Sequence, residues 1–400
     1  MEPLRGFTLL DLTQGVCGPY ASMRLADAGV EVIKVEPPGR GDCARGMGPP
    51  FVGGQSSVFL ALNRNKRSVA IDLDSSDGCD LVRRLAARAD VVLEDLGPGQ
   101  AELLGLGHDQ LAVDNPELVS CSISAWGEQG PMRDLPGSEL VVQAMAEYTR
   151  SLGRIGEPPV RVGADVANLN TAVFASQAVT AALLHRLRSG NGQRVSVSML
   201  RVLLHMRGIM WAARSDPDDW WGFHLDSYTS PPEYGYEAAD GHLFFGLRRA
   251  NSEDFDRLMI DLGLVDHIGD ERFGNHGRDG APLGRHVQEA KPVWEEAFKQ
   301  HTVEELRLLI QSVGGDAVAF NDYDSLVAHP QIEALEVVDS FEHPTAGTVP
   351  TIRPVARLAA SPLTIRTPPP LLGQHTDEVL DELGVDAVDR EALRSVGVIG

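Results

Sequence analysis

Short apolar runs alternate with amphipathic stretches over the first 125 residues of the chain. The runs 7–12 (FTLLDL) and 30–35 (VEVIKV) predict buried strands, and residues 20–28 between them predict a helix with Pro19 near its first turn. Strand, helix and strand in close succession form a βαβ unit. The alternation continues with predicted strands at 68–73, 90–94 and 118–124 and a predicted helix at 78–88. The pattern therefore predicts an α/β fold with a largely parallel sheet.

A long helix is predicted at residues 169–188, before a further strand at 194–199. Small side chains recur along it and would let another backbone approach closely, which predicts a buried helix. They are Ala172, Ala175, Ser176, Ala178, Ala181 and Ala182. Asp165 and Asn168 stand at the start of this helix, where unpaired N–H groups and the positive end of the helix dipole are exposed. This position suits chemistry on an anionic or acyl group, and it equally suits a plain helix cap.

The loop after the first strand, TQGVCGP at residues 13–19, invites comparison with a dinucleotide-binding turn. Glu36 at the end of the second strand would then be the acid that binds the ribose. However, the loop lacks the third glycine of G-x-G-x-x-G and has a proline at the helix start. We therefore expect a nucleotide-bearing ligand that is held without the tight pyrophosphate turn of NAD sites.

The charge balance is acidic, with 57 Asp and Glu residues against 35 Lys and Arg residues and a net charge of −22. This balance argues against nucleic acid as the main partner, because phosphate binding relies on clustered cations. Lys66 and Arg67 do form an adjacent pair before the strand at 68–73. The pair predicts either a phosphate clamp or a solvated basic turn, and the residues alone do not separate the two.

The four cysteines are widely separated and include no C-x-x-C pair, which predicts reduced thiols and no zinc site. For Cys17, in the glycine-containing loop, a buried spectator thiol is a better interpretation than a reactive one. The sequence has no basic-then-apolar leader, and no apolar run approaches the roughly 18 residues of a membrane span. We expect a cytoplasmic protein without a metal or a membrane partner.

Several segments together carry a family resemblance. They are VEVIKVEPPGRGD (30–42), LNRNKRSVAIDL (62–73), ADVVLEDLGPG (89–99), AWGEQGP (125–131), GSELVVQAMA (137–146), the stretch 159–199 and PPLLGQHTDEVLDELG (369–384). With these segments in this order, the chain resembles the family III (CaiB/BaiF-like) CoA-transferases, which include formyl-CoA:oxalate and carnitine CoA-transferases. It is also similar to the related α-methylacyl-CoA racemases.

The resemblance implies a fold and an assembly. It implies a Rossmann-like large domain with a parallel sheet, built from both chain ends at residues 1–215 and 326–400, and a smaller α/β domain at 216–325. Two such chains would be threaded through one another as interlocked rings. The expected partner is a second copy of the chain, and a heteromer with a paralogue is the alternative.

The resemblance also implies a mechanism, from which this chain departs at one position. In the family, an aspartate just before the long helix attacks an acyl-CoA thioester and forms a covalent intermediate. The matching residue here is Asn168, and a neutral carboxamide is not a nucleophile toward a thioester. Asp165 and Glu139 are the candidate replacements. Each also has a structural interpretation, Asp165 as a turn residue and Glu139 as a favourable charge at a helix start.

Three functional hypotheses follow from the resemblance. The first and favoured one is a CoA-transferase that moves CoA from an acyl-CoA to a carboxylic acid, using Asp165 or Glu139 while Asn168 polarises the thioester carbonyl. The second is an acyl-CoA isomerase, racemase or lyase that removes an α-proton, although Ser138 occupies the position of the racemase histidine. The third is a catalytically silent CoA-binding subunit of a heteromer. The acyl group and the acceptor acid are left open.

The family pattern finally implies which residues contact CoA. These are Gln14, Gly15, Val16, Cys17, Arg40, Asn65, Lys66, Arg67, Asp95 and Leu96. Arg248 and Arg249 are further candidates, either as ligands of a substrate carboxylate or as solvated surface residues.

Overall fold

The computed structural model describes residues 1–150, 157–207, 235–247, 251–273 and 287–400. The chain divides into two compact units. The first unit comprises residues 1–146, 163–206 and 331–400, and the second comprises 147–162 and 207–330. The predicted domain limits of 1–215, 216–325 and 326–400 stay a prediction.

The helices and strands follow one another along the chain in four groups. The first unit begins with β1 (Thr8–Asp11), α1 (Cys17–Asp27), β2 (Glu31–Glu36), β3 (Phe51–Val52), β4 (Gln55–Ser56), α2 (Ser57–Leu62), β5 (Lys66–Ala70), α3 (Ser76–Ala86), β6 (Val91–Glu94), α4 (Gln100–Leu103), α5 (His108–Leu111), β7 (Val119–Ser124) and α6 (Glu139–Met145). It continues with α7 (Val166–Ser189), β8 (Gln193–Ser198) and α8 (Met199–Met206). The second unit contains β9 (Tyr236–Glu237), β10 (His242–Gly246), α9 (Ser252–Asp261), α10 (Val287–Phe298), α11 (Val303–Ser312), β11 (Asp316–Ala319) and α12 (Tyr323–Val327). The chain ends with α13 (Pro330–Leu335), β12 (Val338–His343), β13 (Gly347–Ile352), α14 (Thr376–Glu382) and α15 (Ala387–Ser395).

Six parallel strands form the main sheet of the first unit, in the spatial order β5-β2-β1-β6-β7-β8. This confirms the predicted parallel sheet. From β1 the chain moves outward through β2 to β5, and it then returns to the other side of β1 with β6. The carboxyl ends of β1 and β6 therefore form a topological switch point, which is where open α/β sheets bind their ligands.

Helices cover both faces of this sheet. On one face, α1 and α7 enclose a core that includes Leu9 and Val91. On the other face, α3 and α14 enclose a core that includes Leu10 and Val92. Successive strand residues point to opposite faces, so β1 and β6, the central strands, contribute apolar residues to both layers. Since α14 belongs to the last part of the chain, both chain ends contribute to this unit.

The small residues of α7 lie against α1 on one side only. Ala172 and Ala175 are fully buried, and the Arg24 Nε of α1 donates to the Ser176 Oγ at 3.2 Å. Ala181 is exposed on the opposite side of the helix. The predicted burial is therefore confirmed for one face of α7 and is wrong for the other, which no described part of this single chain covers.

The second unit has its own core. Its three strands form an antiparallel sheet in the order β11-β10-β9. Phe245 on β10 packs its ring against Trp294 and Phe298 of α10, with ring centroids 5.2 and 5.3 Å apart. Aromatic rings at such separations bury large apolar areas, so this unit has an apolar core separate from that of the main sheet.

Candidate active site at the carboxyl edge of the sheet

A cleft of about 240 Å³ lies at the carboxyl ends of β1, β2, β5 and β6. Three residues that the family pattern predicts as CoA contacts line it, namely Gln14 after β1, Arg40 after β2 and Leu96 after β6. Asp72 and Asp74, which follow β5, also line the cleft. The cleft thus occupies the switch point of the sheet and brings together sequence-predicted residues from three separate segments.

The turn between β1 and α1 forms one wall of this region. Gly15 has a φ of +78°, a left-handed conformation that favours glycine. Its N–H donates to the Asp42 Oδ1 at 2.7 Å and so points into the protein. The N–H groups of Val16 and Cys17, by contrast, donate to no atom of the described residues. These groups stand at the start of α1, where an anion such as a phosphate would be stabilised.

Two buried side chains, Cys17 and Asp95, lie near the turn between β1 and α1. Burial raises the pKa of the Cys17 thiol well above its usual range, and the charges of Asp95 and Glu139 raise it further. This thiol therefore stays protonated, as expected of a spectator cysteine. Burial also raises the pKa of the Asp95 carboxyl to about 8, although the Gln14 N–H donates to both of its oxygens at 3.2 Å. Asp95 accepts the N–H of Gln14, close to the start of α1, and α1 packs against α7, whose first turn is capped by Glu139.

A buried ion pair lies beneath the turn. The Lys34 Nζ is 2.7 Å from the Asp42 Oδ2, and neither side chain is exposed to solvent. The same Nζ donates to the Thr13 carbonyl at 2.8 Å. Burial alone would lower the pKa of Lys34, but the carboxylates around it, Asp11 first, outweigh burial and raise that pKa. Lys34 is therefore held as a cation against the backbone of the turn.

Residues 65–67 lie at the amino end of β5, whereas the cleft lies at its carboxyl end. The buried Lys66 Nζ donates to the Pro19 carbonyl at 2.9 Å and pairs with Asp11 at 3.1 Å. Arg67 pairs with carboxylates on β2 and α14 at 2.6 to 3.0 Å. The Asn65 amide bonds to backbone groups near the C-terminal end of the chain. The structure does not bring these three side chains to the cleft, and their contact with CoA stays a prediction.

The first turn of α7 is capped by a side chain from α6. The Glu139 carboxylate accepts the N–H of Ala167 at 2.7 Å through one oxygen and the N–H of Asn168 at 2.7 Å through the other. The Gln143 Nε2 donates to the same carboxylate at 2.7 Å. A carboxylate at a helix start is favourable because it satisfies orphan N–H groups and complements the dipole. This contact joins residues 28 and 29 positions apart and fixes the backbone of Asn168.

The capping contact changes what each candidate catalytic residue can do. Glu139 is engaged by three donors, so it has little capacity left to act as a base or a nucleophile. The helix-start N–H groups that could have stabilised an oxyanion are already occupied at Ala167 and Asn168. The Asn168 side chain is half-buried, and Asp165, three residues earlier, is exposed to solvent. Asp165 is the residue directly before α7, its backbone is not helical, and its side chain forms no capping hydrogen bond.

Since α7 ends at a short turn that leads into the amino end of β8, its own start lies at the carboxyl edge of the sheet. Asp165 and Asn168 are therefore at the same edge as the cleft. Arg248 and Arg249 lie outside the described residues. Within the described ranges, no group of three His, Cys, Asp or Glu side chains could hold a metal ion. No helix in the described part of the chain is long and apolar enough to cross a membrane.

Residues 4–376 match the family described as CoA-transferase family III. The chain belongs to this family. It is accordingly a CoA-transferase, an enzyme whose substrates are CoA thioesters and carboxylic acids. The family resemblance inferred from the sequence motifs is confirmed.

Curated relatives and a solved structure extend this result over the full chain. Human succinyl-CoA:glutarate CoA-transferase is 31% identical over 405 residues, covering 100% of this chain and 90% of the human protein. Succinyl-CoA--D-citramalate CoA-transferase of Chloroflexus aurantiacus is 31% identical over 406 residues, covering 100% of this chain and 98% of that protein. A crystal structure of a CaiB/BaiF family protein from Brucella suis superimposes with a TM-score of 0.81 at 27% identity, covering 95% of this chain and 99% of that one.

Several features of this family III site escaped prediction from the sequence. Asp72 and Asp74 gave no signal beyond their position after a strand. Lys34 and Asp42 lie within VEVIKVEPPGRGD, where a lysine inside an otherwise buried strand was a sign of an internal ion pair. The cap at Glu139 could not be foreseen, because its partners lie far along the chain.

Proposed function

We propose that this enzyme moves CoA from an acyl-CoA to a free carboxylic acid through the carboxylate of Asp165, with the Asn168 carboxamide polarising the thioester carbonyl. The proposal rests on the hydrogen bonding, charge and exposure of the three candidate catalytic residues. Glu139 is engaged as a helix cap, Asn168 is neutral, and Asp165 is exposed directly before α7, three residues from Asn168. Of the two carboxylates among these candidates, Asp165 is thus the one that is accessible to an acyl group.

The proposed reaction needs no external oxidant, reductant or metal. The Asp165 carboxylate attacks the thioester carbonyl, the C–S bond breaks, and a mixed anhydride and CoA thiolate form. The thiolate attacks the Asp165 carbonyl of the anhydride, which releases the donor acid and leaves a CoA thioester on the enzyme. The acceptor carboxylate then attacks this thioester, which releases CoA thiolate and forms a second anhydride. The thiolate attacks the acceptor carbonyl of that anhydride, which frees Asp165 and releases the acceptor as its CoA thioester. An amide N–H of Asn168 would donate to the developing oxyanion in each step.

We place the nucleotide half of CoA in the cleft at the switch point. Arg40 lines the cleft, and the N–H groups of Val16 and Cys17 follow Gln14, which also lines it. Both kinds of group suit a phosphate and so support this placement. The pantetheine arm would then pass Asp95 and Leu96 toward the start of α7. This direction is supported by the packing of α1, which follows the turn that bonds to Asp95, against α7.

Short dicarboxylic acids are the proposed acyl and acceptor groups. The support comes from relatives of nearly equal length that are named for succinyl-CoA with glutarate or with D-citramalate. Succinyl-CoA is therefore the first donor to test, with glutarate and related diacids as acceptors.

We further propose that two copies of the chain interlock. An apolar groove of about 520 Å³ in the first unit is lined by Met23, Leu60, Val349 and Ile352 among others. The side chain of Val355 beside it is 83% exposed. Apolar surface of this kind is typical of a region covered by another chain. Light scattering on the purified protein should give the mass of a dimer, and a monomer at micromolar concentration would contradict this assembly.

The reaction is tested by product analysis. The protein is incubated with succinyl-CoA and a panel of free acids, and the CoA thioesters formed are identified by mass spectrometry. A transferase forms a new acyl-CoA only when a free acid is present. Deuterium uptake from heavy water without any acceptor would indicate isomerase or lyase chemistry instead. Binding of CoA without turnover for any pair would favour a silent subunit.

A further inference from the structure

The turn at residues 13–15 lies beside the proposed CoA cleft. Buried side chains form hydrogen bonds with the backbone at both of its ends. At one end, the Thr13 carbonyl accepts the Lys34 Nζ at 2.8 Å. At the other end, the Gly15 N–H donates to the Asp42 Oδ1 at 2.7 Å. Lys34 and Asp42 are themselves joined at 2.7 Å. One ion pair thus holds an acceptor and a donor of the backbone two residues apart.

Asp42 is also fixed from its own side. Its Oδ1 accepts the N–H of Ala44 at 2.7 Å, and its own N–H donates to the Glu36 Oε2 at 2.9 Å. Glu36 in turn pairs with Arg45 at 2.7 Å. The Asp42 carboxylate is therefore held in place independently of the turn. The turn has to take the conformation that this fixed carboxylate allows.

A contribution to the free energy of unfolding does not by itself explain why an ion pair occupies this buried position. Lys34 and Asp42 have no exposed side-chain surface, and a buried ion pair is often no more stabilising than a well-packed apolar pair. An apolar pair, however, could satisfy neither the Thr13 carbonyl nor the Gly15 N–H. The pair is specific in that it supplies one donor and one acceptor to the turn.

We propose that the Lys34–Asp42 pair is a positioning device that sets the turn at residues 13–15 in its CoA-binding conformation before CoA arrives. The pair draws the Gly15 N–H inward, while the next two N–H groups, those of Val16 and Cys17, have no partner among the described residues and are left for the ligand. This inference rests on the proposed placement of CoA. Preorganisation of this kind strengthens binding because the ordering cost is met during folding.

The test compares Asp42→Asn with a matched control, Asp90→Asn. Asp42 accepts the N–H groups of Gly15 and Ala44 and Asp90 accepts that of Thr8, all at 2.7 Å, and each aspartate pairs with one cation. Asp90 does so at the amino edge of the sheet, away from the cleft. Kd for CoA is measured by calorimetry on both variants and on the unaltered enzyme, together with KM and kcat for succinyl-CoA.

We expect Asp42→Asn to raise Kd and KM for the CoA thioester by about tenfold while kcat changes little, since about 1.4 kcal/mol of binding is lost at each tenfold step. Asp90→Asn should lower the melting temperature but leave Kd unchanged. Equal Kd values for both variants and the unaltered enzyme would overturn the positioning role but not the proposed placement of CoA. Absence of CoA binding by the unaltered enzyme would instead overturn the proposed placement of CoA.

A measurement on the unaltered enzyme covers the case in which Asp42→Asn does not fold. Hydrogen exchange of the Gly15 amide is followed without CoA. The buried bond to Asp42 predicts slow exchange before any ligand is added. Exchange as fast as in an exposed loop, slowing only when CoA is added, would show that CoA and not the ion pair orders the turn.

Discussion

The two ends of the proposed site differ in how they are built. Beside the cleft, a buried ion pair holds the turn at residues 13–15 through its Thr13 carbonyl and its Gly15 N–H. At the start of α7, it presents the side chains of Asp165 and Asn168, of which the first is exposed and the second half-buried. The cleft is thus determined by the fold, whereas the chemistry depends on a few replaceable side chains. If the proposal is right, the asparagine at position 168 changes the chemistry of the site and leaves the proposed CoA cleft unaltered.

The largest effect is expected from Asp165→Ala. Removal of the proposed nucleophile should lower the rate of CoA exchange by at least about a thousandfold, because no other step replaces covalent catalysis. Kd for CoA should stay unchanged, since the cleft is built separately. Exchange assays and calorimetry on the same preparation measure both quantities. Loss of CoA binding along with the rate would show that the two ends are not independent.

A smaller loss is expected from Asn168→Ala. Loss of one hydrogen-bond donor to a developing oxyanion typically lowers kcat by about a hundredfold or more. The conservative variant Asn168→Gln serves as the control, because it keeps the carboxamide. Steady-state kinetics with succinyl-CoA measure kcat. An undiminished kcat in Asn168→Ala would remove the carboxamide from the mechanism.

Glu139→Gln separates a capping role from a catalytic one. A carboxamide oxygen can still accept the N–H of one residue of α7 but has no charge to complement the dipole. We expect a loss of about 1 kcal/mol in the free energy of unfolding and a drop in kcat of no more than about tenfold. Thermal melts and kinetics are measured on one preparation. A drop of about a thousandfold without loss of stability would indicate that Glu139 is a general base instead.

The smallest expected effect is a change in Kd for CoA with pH, caused by ionisation of Asp95. Its carboxyl has a pKa of about 8 in the folded enzyme against 3.8 as the ordinary value. Below pH 8 the group is neutral, and above pH 8 its negative charge opposes the phosphates of CoA. Kd for CoA should therefore rise by about two- to fivefold between pH 7 and pH 9 at low salt, as estimated from screened charge repulsion. Asp95→Asn should abolish this rise.

The same group gives a stability test. Between pH 3.8 and about pH 8 the folded enzyme retains a proton on Asp95 that the unfolded chain has lost. The contribution of Asp95 to stability therefore falls as the pH rises through this window. Comparison of unfolding curves for the unaltered enzyme and Asp95→Asn isolates the contribution. Identical pH dependence of the two proteins would show that the carboxyl ionises normally in the folded state.

Much of the sheet could be predicted because local patterns determine it. The runs at 7–12 and 30–35 became β1 and β2, and the small residues of the central helix became the face of α7 that packs on α1. Only the ends shifted, by one to three residues. Hydrophobic periodicity reports burial within a segment, and the parallel sheet follows from the order of such segments.

The candidate site was predictable only in part, because it depends on the direction of individual side chains. Gln14, Arg40 and Leu96, for which the family pattern implies contact with CoA, line the cleft, and that contact stays a prediction. Lys66 belongs to the same motif set, yet its amine points into a buried ionic cluster. The cap that Glu139 forms on α7 joins distant segments and has no local signature. A motif identifies a segment, but the packing around it decides which way each side chain points.

The most direct test of the central claim is mass spectrometry of the intact protein after brief mixing with succinyl-CoA and rapid acid quenching. The account predicts a covalent succinyl or CoA adduct that peptide mapping places on Asp165, and no adduct in Asp165→Ala. An adduct on another carboxylate, or full exchange activity in Asp165→Ala, would contradict the assignment of Asp165 as the nucleophile.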